Sequence, residues 1–112
     1  MNKTVTPTEF FKSLSDETRL NLILLVKHHQ ELCVCEFTDL LTLSQPKISR
    51  HLALLRSNCI LSDHRKGKWV YYRINQDLPD WCLEVIDLTF MRNRELIEPM
   101  LSRPVAAINC NE

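Results

Sequence analysis

At Cys59 the hydrophobic period of the chain switches from that of a helix to that of a strand, and it reverts after Ile74. Upstream, SQPKISRHLALLRSN (residues 44–58) sets Ile48, Leu52 and Leu55 on one stripe at helical spacing. Downstream, ILSDHRKGKWVYYRI (60–74) reads as two strands about Lys66-Gly67-Lys68, with Val70, Tyr72 and Ile74 alternating inward. Gly67 is the only glycine, so tight turns are few and helix should dominate elsewhere. A mainly α chain with one small β-hairpin is the fold class that follows.

The helices before the switch can be placed from their caps. A short amphipathic helix is predicted over Pro7–Leu14, carrying Phe10, Phe11 and Leu14. Ser15 or Asp16 caps a second, with Leu20, Ile23, Leu24 and Lys27 as its stripe and His28 and His29 in the last turn. Those histidines suit a helix C-terminus better than a metal. A third helix spans about Val34–Leu41, facing Phe37, Leu40 and Leu41 inward. After the turn Thr42-Leu43, Ser44 caps the fourth helix, with Pro46 in its first turn, where a missing N–H costs nothing. His51 falls on its inner side. Two short helices joined by a short turn, the second polar at its front and outer face, describe a helix-turn-helix, and the hairpin after it makes a winged one. A last helix from about Leu78 to Leu96 is apolar along Leu78, Trp81, Cys82, Val85 and Leu88. Its exposed stripe, with Phe10 and Phe11, predicts a homodimer joined by the first and last helices. Residues 98–112 read as an irregular tail, and the whole of 1–112 as one domain.

Formal net charge is zero, yet its distribution is uneven. Between Ser44 and Ile74 seven bases (Lys47, Arg50, Arg56, Arg65, Lys66, Lys68, Arg73) face one acid, Asp63. Such a basic segment on a helix-turn-helix fits a polyanion. Gln45, Lys47, Ser49 and Arg50 point away from the buried stripe and would meet the major groove; Arg65, Lys66 and Lys68 at the wing would reach phosphates or the adjacent minor groove. The longest apolar run, LILLV (22–26), is too short to span a membrane, and MNKTVTPTEF has no apolar export region. A cytoplasmic setting is expected, in which the five cysteines serve as thiols or ligands.

Two of those cysteines flank a single valine in ELCVCE (31–36). Within an ideal helix positions i and i+2 lie about 200° apart; in extended backbone they share a face. Cys33 and Cys35 can clamp one ion only if Cys33 lies before the first helical turn. The positive end of a helix favours thiolate over thiol, and thiolates select soft centres such as trivalent arsenic or antimony. Cys59 and Cys82 read as structural, Cys82 lying on the apolar stripe.

The blocks LSDETRLNLILLV, ELCVCE, LSQPKISRHLALLRSN and GKWVYYRI, in this order, resemble the ArsR/SmtB family of metal-responsive bacterial repressors over residues 9–97. ELCVCE and SQPKISRHLALLR are most similar to its arsenical sensors. The resemblance implies a dimeric repressor, not an enzyme, with no required cofactor. It would bind double-stranded operator DNA and let go when arsenic(III) or antimony(III) binds Cys33 and Cys35. Arsenical sensors often place a third cysteine where this chain has Thr38, so the third ligand position is open to Thr38, Cys110, hydroxide or an exogenous thiol. The family's terminal-helix zinc site needs histidines, and no histidine follows His64. A redox- or cadmium-responsive repressor of the same fold is the alternative, and a small thiol enzyme the reading from a different class.

Overall fold

The computed structural model describes residues 5–101. Their elements run α1 (Pro7–Leu14), α2 (Glu17–His29), β1 (Leu32–Cys33), α3 (Val34–Leu41), α4 (Gln45–Ser57), β2 (Leu61–Lys66), β3 (Trp69–Ile74) and α5 (Asp80–Arg92). A 3-10 turn (Arg94–Leu96) and a short α6 (Glu98–Leu101) follow. Thr6 caps α1 through a reciprocal box with Glu9, and Asp16 caps α2 by accepting from the Arg19 N–H at 3.0 Å.

α2 is more central than its stripe predicts. Leu22 to Val26 are all buried, not just one face, because α1, α4, α5 and β3 pack around it. Around this axis Phe10, Phe37, Leu40, Ile48, Leu52, Leu55 and Ile60 are fully enclosed. Arg19 fastens α1 to α2: its Nε donates to the Ser13 carbonyl at 2.8 Å and its Nη2 to the Lys12 carbonyl at 3.2 Å. Asn58, capping the C-terminus of α4, donates to Ser13 Oγ at 3.0 Å and ties the fourth helix to the same point.

With one glycine available, other residues take the left-handed backbone. Gln30, Thr42 and Cys59 have φ of 77°, 53° and 64°, and each follows a helix. At Cys59 the Ile60 N–H bonds to the Leu55 carbonyl and the Cys59 N–H to that of Arg56, the double bond of a Schellman ending.

The predicted hairpin is part of a three-stranded antiparallel sheet of order β1-β3-β2. Leu32 pairs with Tyr72 and Cys33 with Tyr71, while β2 and β3 pair from Leu61↔Ile74 to Lys66↔Trp69. Tyr72 and Ile74 pack against the core as expected. Side chains alternate across a strand, so this register puts Cys33, Tyr71, His64, Arg73 and Lys66 on one face and Leu32, Tyr72, Asp63 and Arg65 on the other.

Two expectations change at the C-terminal end. The last helix does not run from Leu78 to Leu96 but stops at Arg92. There Asn93 takes φ −137° and its side-chain amide donates to the Thr89 carbonyl at 3.0 Å, a local bond that competes with the helix. The segment after residue 98 is not irregular from its start, because Glu98–Leu101 is helical with Met100 buried. Cys110 lies outside the described residues.

The predicted dimer residues also divide. Phe10 and Leu78 are buried within the subunit, at 0% and 4% exposure, because α1 must fill the space over α2 with one of its two phenylalanines. Burying such a ring stabilises by roughly 1.5–3 kcal/mol, so it is not left waiting for a partner. Trp81 and Val85 are half-buried, Trp81 meeting Phe10 edge-on at 5.1 Å. Phe11 and Leu88 are exposed, together with Met91.

Candidate DNA-binding surface and thiol site

α3, the left-handed turn at Thr42, and α4 form the helix-turn-helix. Ser44 opens α4, its hydroxyl accepting from the Lys47 N–H at 3.4 Å. Ile48, Leu52 and Leu55 anchor the inner face. Gln45 and Arg50 are exposed, and Lys47 and Ser49 half-buried, on the side turned from the core. His51 sits between these faces, its Nδ1 3.5 Å from Arg19 Nη1 and its Nε2 4.0 Å from Asp16. Burial lowers its basicity, the Asp16 carboxylate working against that. Asp16 itself is held below the usual carboxylate range, chiefly by the Arg19 N–H.

The seven bases of the Ser44–Ile74 segment are not equally available. Arg56 pairs with Asp63 at 3.5 Å. Lys66 pairs with Glu31, and Arg73 reaches the same carboxylate at 3.2 Å. Lys47, Arg50, Arg65 and Lys68 have no carboxylate partner among the described residues. Lys68 lies 5.6 Å from the Trp69 ring centre at the hairpin tip. The unpaired cations therefore sit on α4, at the tip, and on the sheet face that carries Arg65.

Cys33 is the N-cap of α3, with φ −96° and ψ 170°, so it lies in extended backbone before the first turn as a shared thiol face requires. Cys35 follows inside that turn. A reciprocal capping box surrounds them: the Cys33 side chain lies on the Glu36 N–H, and Glu36 Oε1 accepts from the Cys33 N–H at 2.9 Å. Cys33 is buried at 4% exposure and Cys35 is partly open. Thr38 donates its hydroxyl proton to the Cys35 backbone carbonyl at 2.7 Å. Tyr71 pairs across the sheet with Cys33, and its phenol is pushed above its usual range by burial and then by Cys33 and Glu36. Among the described residues no group of three or more His, Cys, Asp and Glu side chains is placed to hold a metal ion.

The remaining candidates lie elsewhere. Cys82 is fully enclosed and burial pushes its thiol up. Cys59 is half-buried at the end of α4. His28 and His29 stand edge to face at the end of α2, and burial lowers His29. Two acids that the sequence reading passed over belong to the site. Glu36 was legible as the third residue after an N-cap. Glu31 was not, since its partners Lys66 and Arg73 lie 35 and 42 positions away.

Residues 16–58 match the family model described as bacterial regulatory protein, arsR family. The arsenic resistance transcriptional regulator ArsR2 of Pseudomonas putida is 55% identical over 81% of this chain and 79% of its own. The arsenical resistance operon repressor of Escherichia coli is 45% identical over 94% of this chain and 89% of its own. Among solved structures, HlyU from Vibrio cholerae superposes with a TM-score of 0.67 at 26% identity, covering 75% of this chain and 87% of that one. The small thiol enzyme is thereby set aside. The chain belongs to the arsR family of bacterial regulatory proteins, and it is a DNA-binding transcriptional regulator.

Proposed function

We propose that this protein is an arsenic(III)-responsive transcriptional repressor, which holds operator DNA until trivalent arsenic or antimony binds the thiolates of Cys33 and Cys35. The observation that carries the reading is the backbone at Cys33, extended and immediately before a helix that contains Cys35. Names borne by the relatives, an arsenic resistance regulator and an arsenical resistance operon repressor, point the same way. Two thiolates supply soft ligands, and the third position falls to Thr38, Cys110, hydroxide or an added thiol.

Coupling begins at the capping box. Arsenic takes up a lone pair of the Cys33 sulfur and so weakens its hold on the Glu36 N–H, one of the orphan donors at the start of α3. α3 packs directly on α4, which carries Gln45, Lys47, Ser49 and Arg50 toward the bases. Inducer and operator then favour different arrangements of one helix pair, which is the condition for either to displace the other. The protein acts as a homodimer through α1 and α5, with Phe11, Trp81, Val85 and Leu88 at the contact and Met91 beside them. Two-fold symmetry matches a palindromic operator. The setting is the cytoplasm, which keeps thiols reduced; among the described residues no helix is long and apolar enough to cross a membrane.

Fluorescence anisotropy of labelled operator, titrated with arsenite, antimonite, cadmium, zinc or peroxide, tests the reading. Arsenite and antimonite release the DNA at the lowest concentrations. Release by cadmium or peroxide at lower concentrations than arsenite would reassign the inducer.

A further inference from the structure

Glu31 stands immediately before the two-residue strand that ends at the inducer thiol. Its carboxylate holds two cations from the wing, Lys66 Nζ and Arg73 Nη2 at 3.2 Å, with His64 Nε2 standing 3.2 Å away and joining as an ion pair only when its ring is protonated. Arg73 Nη2 also lies 2.9 Å from His64 Nε2, which closes the group. The side chain of Glu31 is 25% exposed, so these contacts are partly shielded from water.

The register explains why. Leu32 pairs with Tyr72 and Cys33 with Tyr71, so continuing the antiparallel ladder by one residue sets Glu31 opposite Arg73. Residues opposite and two apart share a face, which places Glu31, Cys33, Tyr71, Arg73, His64 and Lys66 together. The backbone tether between the thiol segment and the wing is only two residue pairs long. The Glu31 carboxylate, holding Lys66 and Arg73, adds a side-chain connection to it.

We propose that Glu31 is the positioning residue that couples the inducer thiols to the wing, setting where Lys66 and Arg73 stand according to the state of Cys33. The proposal rests on the arsenic-responsive reading above and adds a second route beside that through α3 and α4. When Cys33 is drawn toward a bound arsenic, the segment 31–33 moves as a short extended piece. Glu31 carries its cations with it, and the wing leaves the posture that suits the DNA backbone.

Glu31→Gln keeps the shape and removes the charge, and it leaves both thiols in place. The decisive quantity is the ratio of operator Kd with and without saturating arsenite, which for coupled sites is about 5- to 150-fold. Arsenite stoichiometry, followed by thiol protection, stays at the wild-type value in Glu31→Gln, while the ratio falls several-fold toward one. Glu31→Asp, which keeps the charge on a shorter arm, restores part of the ratio. A carboxylate that merely stabilises the wing would lower the melting temperature and leave the ratio unchanged, and that result overturns the proposal. Should Glu31→Gln fail to fold, a wild-type ratio in the Lys66→Gln, Arg73→Gln double variant, which removes the cations that Glu31 holds, overturns it equally. If the wild-type protein itself is not released by arsenite, the functional reading fails and takes this inference with it. Normal release in both wild type and Glu31→Gln defeats the inference alone.

Discussion

The recognition helix and the wing carry charge of the same sign under different constraints. On α4, Lys47 and Arg50 have no carboxylate partner among the described residues, and the helix beneath them is pinned by three fully buried side chains. On the wing, Lys66 and Arg73 are both committed to Glu31, next to the thiol segment. A count of bases along the sequence treats these residues alike. Their partners separate them: α4 offers cations with no carboxylate partner among the described residues, whereas part of the wing's charge is held by Glu31, two residues before Cys33.

The contrast is broken most strongly at α4. Arg50→Ala should cost roughly 1–3 kcal/mol of operator affinity while leaving binding to unrelated DNA nearly unchanged. Gln45→Ala and Ser49→Ala should act in the same direction. Competition titrations with specific and non-specific duplexes read the ratio, and an unchanged ratio after all three substitutions would remove α4 from base recognition.

The wing sharpens it with a smaller effect. Lys68→Ala should weaken specific and non-specific DNA alike and make the salt dependence shallower by about one phosphate contact. Lys66→Ala should change the slope less, because Lys66 already has a carboxylate to leave. Equal slopes for the two variants would erase the distinction drawn from Glu31.

The smallest effect lies at the junction of the two regions. Cys59 ends α4 with φ 64°, a conformation that costs an ordinary residue about 1–2 kcal/mol and glycine little. Cys59→Gly should stabilise the fold by about 1 kcal/mol or less, after some lost packing, with the arsenite response intact. Urea unfolding measures the first and anisotropy the second. A loss of response would bring Cys59 into the inducer site.

Local features of the fold were legible because local chemistry decides them. The bounds of α1 and α3 and the cap at Ser44 follow from residues within one or two turns, while the structure chose Asp16 over Ser15 as the cap of α2 and met the extended-backbone condition at Cys33. The errors share a different cause. β1 is two residues long and exists only through pairing with Tyr71 and Tyr72, far along the chain. The all-round burial of Leu22–Val26 depends on four other elements closing about α2. Phe10 and Phe11 are indistinguishable by spacing until α2 and Trp81 choose one to enclose. Asn93 broke the last helix by a single side-chain bond that hydrophobic spacing does not register. In the site, the thiol pair announced itself, while Glu31 became visible only when the sheet register brought Arg73 beside it.

The central claim is that the two thiols, one at the end of β1 and one in the first turn of α3, control a DNA surface they do not themselves form. Anisotropy of a preformed operator complex, titrated with arsenite for wild type and for the Cys33→Ser, Cys35→Ser double variant, tests it most directly. Serine preserves size and can cap α3, but it supplies no soft thiolate at neutral pH. The account predicts equal operator affinity for both proteins before arsenite, with release of the wild type alone. Release of the double variant at the same arsenite concentration would contradict it.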